Sequence, residues 1–220
     1  MILAVDTSLG TAVALIDADG ARRAEAGAVD PLGHAEVIGD LLVGVLREAG
    51  DARVDVLREA DDTDITHVVA GMGPGPFTGL RIGIAAARAF ALGRGLPVIP
   101  VPSHFAAALT VLETETETET ETFAIVTDAR RREVAITVFD GLDDDGIPVV
   151  VAGTVLVRAA DADAHLDGIR RIDVSTLSAT DLARVGARAL AAERVLTGDE
   201  PLYMRHPDVT LPGAPKKVGT

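Results

Sequence analysis

The stretch from Gly71 to Gly83 is the part of the sequence best placed to bind a ligand. It follows the short apolar run Val68–Ala70 and precedes a long alanine-rich segment, a pattern that predicts a strand, a tight turn and the start of a helix. Free backbone N–H groups and the helix dipole at such a turn can bind an anion or a phosphate. The stretch has no lysine for a P-loop, and Pro76 stands where the dinucleotide-binding pattern needs its third glycine. It therefore predicts either a phosphate-binding loop or a tight structural turn before a buried helix.

A carboxylate and a hydroxyl end the first predicted strand. Asp6 and Thr7 follow the apolar run at the N-terminus, where they can orient a metal-bound phosphate or a water, or instead cap the following turn. Together with the glycine-rich stretch they give the candidate residues of a nucleotide site, which are Asp6, Thr7, Gly73, Gly75 and Thr78.

Other groups that could carry out catalysis are scattered along the chain. The five histidines have none of the spacings of metal ligands, and no Gly-x-Ser-x-Gly motif supplies a hydrolase nucleophile. The chain has no cysteine, which excludes disulfides and thiolate metal sites and fits a reducing compartment. The sequence therefore predicts no catalytic residue and no metal site.

The charge balance and the hydropathy pattern limit the partners that the chain can bind. The formal net charge is −14 and the one basic cluster is Arg130–Arg132, which argues against binding of nucleic acid by the chain alone. The N-terminus lacks a basic region ahead of a long apolar run, so no signal peptide is predicted. No uncharged apolar run approaches the roughly 20 residues of a membrane helix. We expect a cytoplasmic protein without membrane contact.

Strands and helices alternate along the first part of the chain. Short apolar or alternating runs indicate strands, and apolar residues at i, i+3 and i+4 indicate helices that end at a glycine. The order β-β-β-α-β-α-β predicts an α/β fold in which helices pack on a mixed sheet. The predicted strands are Ile2–Asp6, Thr11–Asp17, Ala21–Ala28, Thr66–Ala70 and Leu96–Val101, and the predicted helices are His34–Ala49 and Phe77–Arg94.

The pattern becomes less regular towards the C-terminus. A helix is predicted over Ser103–Leu112, followed by an acidic Glu-Thr repeat over Glu113–Thr122 that we expect to be solvated and without chemistry. The remaining predicted elements are strands at Phe123–Asp128, Glu133–Asp140 and Ile147–Val157, and a helix at Asp181–Ala192.

Two helical surfaces suggest a contact with another protein. The first helix has a mostly apolar row beside its core-facing stripe, and the second has small residues four apart, which let helix axes approach closely. A glycine in mid-helix costs about 1 kcal/mol relative to alanine, and close approach of another backbone would compensate for this cost. The rows are Val37, Leu41, Gly44 and Glu48 on the first helix, and Gly79, Gly83, Ala87 and Ala91 on the second. Each row can pack inside the chain or form a docking surface.

Several motifs together resemble the TsaB (YeaZ) family. They are Asp6-Thr7-Ser8, His34, the run Gly-x-Gly-Pro-Gly-x-Phe-Thr-Gly-Leu-Arg-Ile-Gly, Pro97-Val98 ahead of Ser103, Asp128-Ala129-Arg130 with Glu133-Val134, and the tail Glu200–Arg205. The match is good over roughly residues 1–140 and moderate in the tail. Two features depart from the family pattern, because Pro76 replaces a usual serine and the Glu-Thr repeat is foreign to it.

The resemblance implies an actin-like (ASKHA, ribonuclease H-like) α/β fold, with mixed sheets and packed helices in two lobes of which the second is reduced. The lobes are expected at residues 1–101, with the partner-binding helices, and 102–220, with the Glu-Thr repeat and a proline-rich tail. The nucleotide site of this fold is expected only as a vestige.

The resemblance also implies a non-catalytic subunit. It would dimerise with a TsaD-type transferase that forms N6-threonylcarbamoyladenosine on tRNA next to the anticodon, with a TsaE-type ATPase in the assembly. tRNA would be reached only through the complex, no cofactor would be tightly bound, and ATP or ADP could lie at the complex interface. The chain alone could form a homodimer. The expected partner contacts are Val37, Leu41, Gly44, Glu48, Gly79, Gly83 and Ala87.

An enzymatic function is the competing hypothesis. A chain of this fold with Asp6, Thr7 and a glycine-rich loop could act alone as an ATP-dependent phosphotransferase. A metalloprotease is less well supported, since the sequence offers neither the metal ligands nor the nucleophile.

Overall fold

The computed structural model describes residues 1–29, 33–50, 65–114 and 122–204. Most of the Glu-Thr repeat therefore lies outside the described residues. The strands are β1 (Ile2–Asp6), β2 (Thr11–Ile16), β3 (Arg22–Ala28), β4 (His67–Gly71), β5 (Val98–Val101), β6 (Phe123–Asp128), β7 (Glu133–Leu142), β8 (Pro148–Arg158) and β9 (Arg170–Asp173). The helices are α1 (His34–Glu48), α2 (Phe77–Arg94), α3 (Ser103–Thr114), α4 (Ala162–Leu166) and α5 (Ala179–Ala191).

The first sheet has five strands in the order β3-β2-β1-β4-β5. β1 is antiparallel to β2 and parallel to β4, and β4 is parallel to β5. Successive residues of β1 point to opposite faces, as in any strand. Leu3 and Val5 belong to the core beneath α1 and α2, whereas Ile2 and Ala4 belong to the core on the opposite face. The sheet is thus covered by helices on both sides, which confirms the predicted α/β architecture.

The second sheet repeats the strand order of the first with one strand fewer. Its order is β8-β7-β6-β9, with β6 antiparallel to β7 and parallel to β9. The five-residue α4 precedes β9 at the place that the 15-residue α1 occupies before β4. Sequence patterns predicted neither α4 nor β9, because β9 has four residues, three of them charged, and lacks an apolar alternation.

The C-terminal part of the chain returns to the first sheet. Leu182 and Ala183 of α5 are fully buried in the same core cluster as Ile2 and Ala4. Phe105 contacts this cluster and also the core of the second sheet. Residues that follow position 102 therefore contribute to both sheets, while the predicted boundary between residues 101 and 102 itself stays a prediction.

The helix limits follow local chemistry. α2 begins and ends as predicted, and Gly95 closes it with a left-handed φ of 67°, a conformation that glycine adopts without strain. α5 begins two residues before its predicted start, because Ser178 caps it by accepting a hydrogen bond from the Asp181 N–H. Within the described part of the chain, no helix is both long and apolar enough to cross a membrane.

Candidate functional site

The carboxyl ends of β1 and β4 bring Asp6 against the glycine-rich stretch. The two strands are parallel neighbours, so their ends lie at the same edge of the sheet. Asp6 is 2% exposed. A Cβ atom added at Gly71 would lie 1.8 Å from Asp6 Oδ2, and only glycine leaves room for this carboxylate.

Two serines and a backbone N–H surround the Asp6 carboxylate. The Ser8 N–H donates to Oδ1 at 2.7 Å, and the Ser103 hydroxyl donates to Oδ2 at 2.5 Å. Ser103 Oγ also accepts from the Gly73 N–H at 3.0 Å and lies 2.7 Å from Ser8 Oγ. Because Ser103 gives its one proton to Asp6, its oxygen can accept from the Ser8 hydroxyl, which also lies within donating distance of Asp6 Oδ2, at 3.3 Å.

Burial raises the pKa of Asp6 above its usual value, while the hydrogen bonds from Ser103 and Ser8 offset part of this increase. The carboxylate is therefore held by groups inside the protein and does not point into an open cavity. Sequence reasoning named Ser8 and Ser103 only as parts of the family motifs and did not predict that they meet at Asp6, since they are separated by 95 positions along the chain.

The candidate nucleotide residues occupy two environments. Thr7 and Gly73 are buried, and Gly75 is half-buried with Ser8 Cα at 2.8 Å from the position of an added Cβ. Thr78 is exposed in the first turn of α2. The structure thus brings Asp6, Gly73 and Gly75 together around Ser8 and Ser103, and leaves Thr78 outside this group.

The row of small residues on α2 faces the interior. Gly79, Gly83 and Ala87 are all buried. A Cβ at Gly79 would lie 2.9 Å from His34 Nε2, and a Cβ at Gly83 would lie 2.1 Å from Thr7 Oγ1. Gly79 and Gly83 therefore pack against the chain's own β1–β2 turn and against His34 of α1, and the contact of these three residues with a partner stays a prediction.

The row on α1 lies at the surface. Val37 and Leu41 are half-buried, Gly44 and Glu48 are exposed, and nothing lies within 4 Å of a Cβ added at Gly44. The outward side of α2 is formed by different residues from those predicted. They include Ala85, Ala89 and Leu92, and Leu92 is 84% exposed.

A cavity of about 380 Å³ lies between the two sheets. Its lining includes Pro76 and Phe77 at the start of α2, Arg130 and Arg131 in the β6–β7 turn, and Tyr203. The rings of Phe77 and Tyr203 are 4.7 Å apart. Sequence reasoning noticed the arginine cluster and the tail separately, and no local signal indicates that they share one cavity.

A buried histidine of α3 packs against the second sheet beside this cavity. His104 Nδ1 lies 2.7 Å from Thr137 Oγ1, and Nε2 lies 2.9 Å from Thr127 Oγ1. Burial lowers the pKa of His104 to about 3, so the ring is neutral near pH 7 and each hydroxyl complements one nitrogen. Among the described residues, no three of the acidic, histidine or cysteine type lie together as a metal-binding group.

A family model and several curated proteins match this chain. The family model of TsaD, the tRNA N6-adenosine threonylcarbamoyltransferase, matches residues 34–152. Uncharacterized proteins of Mycobacterium tuberculosis and Mycobacterium bovis are 35% identical over 188 residues, which cover 82% of this chain and 79% of each relative.

Two solved structures superpose on nearly the whole chain. YeaZ from Pseudomonas aeruginosa has a TM-score of 0.68 at 24% identity, with 92% of this chain and 98% of that chain covered. An uncharacterized protein with similarity to the peptidase YeaZ from Pseudomonas aeruginosa has a TM-score of 0.69 at 25% identity, with 93% and 99% covered.

Proposed function

Because the chain belongs to the TsaB (YeaZ) family and has a TsaB-type role in tRNA modification, we propose that it is the non-catalytic partner of a TsaD-type threonylcarbamoyltransferase. In this proposal it dimerises with that enzyme and supports the formation of N6-threonylcarbamoyladenosine on tRNA next to the anticodon. The actin-like fold that the sequence predicted is shared with the YeaZ structures over almost the full chain.

The observation that carries the proposal is the contrast between the buried carboxylate and the exposed helix surface. Asp6 is the one strand-end carboxylate that the sequence offered for nucleotide chemistry, and its oxygens are bound by Ser8 and Ser103. The α1 row, in contrast, presents Gly44 and Glu48 to the outside. The residues thus favour contact with another protein over chemistry at the end of β1.

Charge supports a role inside a complex. The chain has a net charge of −14, and a protein of this charge repels the phosphates of tRNA. The transferase would therefore hold the tRNA. A TsaE-type ATPase is the further proposed member of the assembly, with ATP or ADP at the interface between subunits, and the free chain is proposed to pair with a second copy.

Reconstitution with purified components tests the proposed function. The transferase and the ATPase are incubated with tRNA, ATP and a pre-activated threonylcarbamoyl donor, with and without the chain, and modified adenosine is measured by mass spectrometry. The expected result is product only when the chain is present, and none with the chain alone. Equal product in its absence would refute the proposal.

The competing phosphotransferase function makes a different prediction for the isolated chain. Such an enzyme needs a carboxylate that reaches the bound metal and phosphate, whereas Asp6 is directed into a buried hydrogen-bonded cluster. Calorimetry with Mg-ATP and a phosphate-release assay separate the two functions. Micromolar binding together with hydrolysis by the chain alone would favour the enzyme.

A further inference from the structure

We propose that one buried cluster sets the position of α2 relative to α1, and thereby the shape of the docking surface that the outer sides of these two helices form. The cluster, called the helix-start cluster, consists of Thr7, His34, Gly79 and Gly83. The inference rests on the proposed function. It gives the small residues of α2 a positioning role instead of a direct contact with the partner.

The first observation is the closeness of α2 to the β1–β2 turn. A Cβ at Gly83 would lie 2.1 Å from Thr7 Oγ1 and 2.8 Å from Thr7 Cγ2, distances that contacting atoms do not tolerate. One turn earlier, a Cβ at Gly79 would lie 2.9 Å from the carbonyl oxygen of Thr7. The Thr7 hydroxyl donates to the Gly79 carbonyl at 2.7 Å. The close contact with Thr7 and the hydrogen bond to Gly79 together fix the distance of α2 from the sheet and its rotation about its own axis.

The second observation concerns the start of α1. His34 is 3% exposed, and its Nδ1 lies 2.8 Å from Thr11 Oγ1 at the beginning of β2. Its Nε2 faces Gly79 and has no hydrogen-bond partner among the described residues. The imidazole therefore fills the space between the first turns of α1 and α2, and any side chain at position 79 would displace it.

These contacts join α1, α2 and the β1–β2 turn at one point. If a partner binds the outer surfaces of both helices, its affinity depends on their relative position, since packed interfaces tolerate only small displacements. An extra methyl group inside the cluster must move α2 away from Thr7, although it changes no residue on the outer surface. The cluster is thus separable from the docking residues by mutation.

The test compares two alanine substitutions on the same helix. In Gly83→Ala the new methyl group meets Thr7, while in Gly93→Ala nothing lies within 4 Å of it. Affinity for the purified transferase is measured by calorimetry with the full chain. We expect Gly83→Ala to weaken binding by about tenfold or more, a clear difference on the scale of measured affinities, and Gly93→Ala to leave binding unchanged.

A compensating substitution distinguishes positioning from general damage. Thr7→Ala removes Oγ1 and Cγ2 and leaves only Cβ, at 3.0 Å from the new methyl position. The double variant Gly83→Ala with Thr7→Ala should therefore bind more tightly than Gly83→Ala alone. His104→Gln, which perturbs the second sheet, serves as a destabilised control whose affinity should stay at the wild-type value.

The outcomes of these binding measurements distinguish failure of the proposed function from failure of the positioning role. If the wild-type chain does not bind the transferase, the proposed function fails. If the wild type binds and folded Gly83→Ala binds equally well, the positioning role is wrong and the proposed function stands. If Gly83→Ala does not fold, Thr7→Val and Thr7→Ser replace it. The positioning role then requires weaker binding for Val, which lacks the hydroxyl, and retained binding for Ser, and equal binding of the two would overturn it.

Discussion

Asp6 and Ser103 illustrate how two residues can be noticed in the sequence while the contact between them is not predicted. Asp6 stands at the end of a short apolar run, so its place at the sheet edge follows from the sequence. Ser103 begins α3, 97 positions later, and nothing local indicates that its hydroxyl reaches the same carboxylate. Contacts of this kind depend on the packing of β1, β4 and β5, which the pattern of residues does not encode locally.

Removing the Ser103 hydroxyl should destabilise the protein. In Ser103→Ala the Gly73 N–H loses its acceptor and Asp6 Oδ2 loses its short hydrogen bond. A buried group without its partner costs about 1–3 kcal/mol, so we expect a loss near the upper end of that range in urea unfolding. Ser175→Ala, at an exposed serine, is the matched control and should change stability by less than about 0.5 kcal/mol. Equal stability of the two variants would contradict the described network.

The buried imidazole of His104 should make stability fall in acid. Its pKa is lowered from 6.5 to about 3 in the folded state, so the unfolded chain takes up a proton first as the pH falls. The contribution of His104 is complete above about pH 6.5 and is lost progressively between pH 6.5 and 3. From pH 7.5 to 5 the loss is about 2 kcal/mol at 1.36 kcal/mol per pH unit.

Comparison with His104→Gln isolates this effect, because all other titrating groups are common to both proteins. The difference in the free energy of unfolding between wild type and variant should shrink as the pH falls from 7.5 to 5. A difference that is independent of pH would mean that folding does not shift the pKa of His104.

At the scale of elements, the limits of α2 were predicted correctly, while the sequence left open what its small-residue row packs against. The spacing of Gly79 and Gly83 indicates close packing, and in the structure both glycines pack against the β1–β2 turn. A helix sequence defines its small-residue face without saying which neighbour covers it. The same limit explains β9, whose pairing with β6 supplies the structural order that its charged sequence does not indicate.

The arginines of α5 connect the two sheets, and their removal should loosen the β7–β8 hairpin. Arg188 donates to the Gly146 carbonyl at 2.7 Å and to Glu113 at 2.6 Å. Partly exposed ion pairs contribute about 0–1 kcal/mol, so we expect Arg188→Ala to lower stability only slightly. Faster amide hydrogen exchange at Ile147 should be the larger effect. Arg47→Ala, at an exposed position on α1, should leave this exchange rate unchanged, and an unchanged rate in Arg188→Ala would contradict the proposed connection.

At the scale of the whole molecule, the second sheet repeats the first in shortened form. Within the described residues the strand order is retained without a counterpart of β5, and α4 is only five residues long. The return of α5 to the first sheet and the contacts of Phe105 with both cores hold the two sheets together. Their cavity is lined partly by Arg130 and Arg131 in an otherwise acidic chain. The sequence could not place these arginines beside Phe77 and Tyr203, because the three segments are far apart along the chain.

The central claim is that the α1 row docks the transferase, and gel filtration of the mixed proteins tests it most directly. Two substitutions on α1 are compared, Gly44→Arg in the row and Gly39→Arg, about 140° away around the helix. Both glycines are exposed with nothing within 4 Å of an added Cβ, so both variants should fold. We predict one joint peak for the wild type and for Gly39→Arg, and two separate peaks for Gly44→Arg. Two separate peaks for the wild type under all nucleotide conditions, or a joint peak for Gly44→Arg, would contradict the claim.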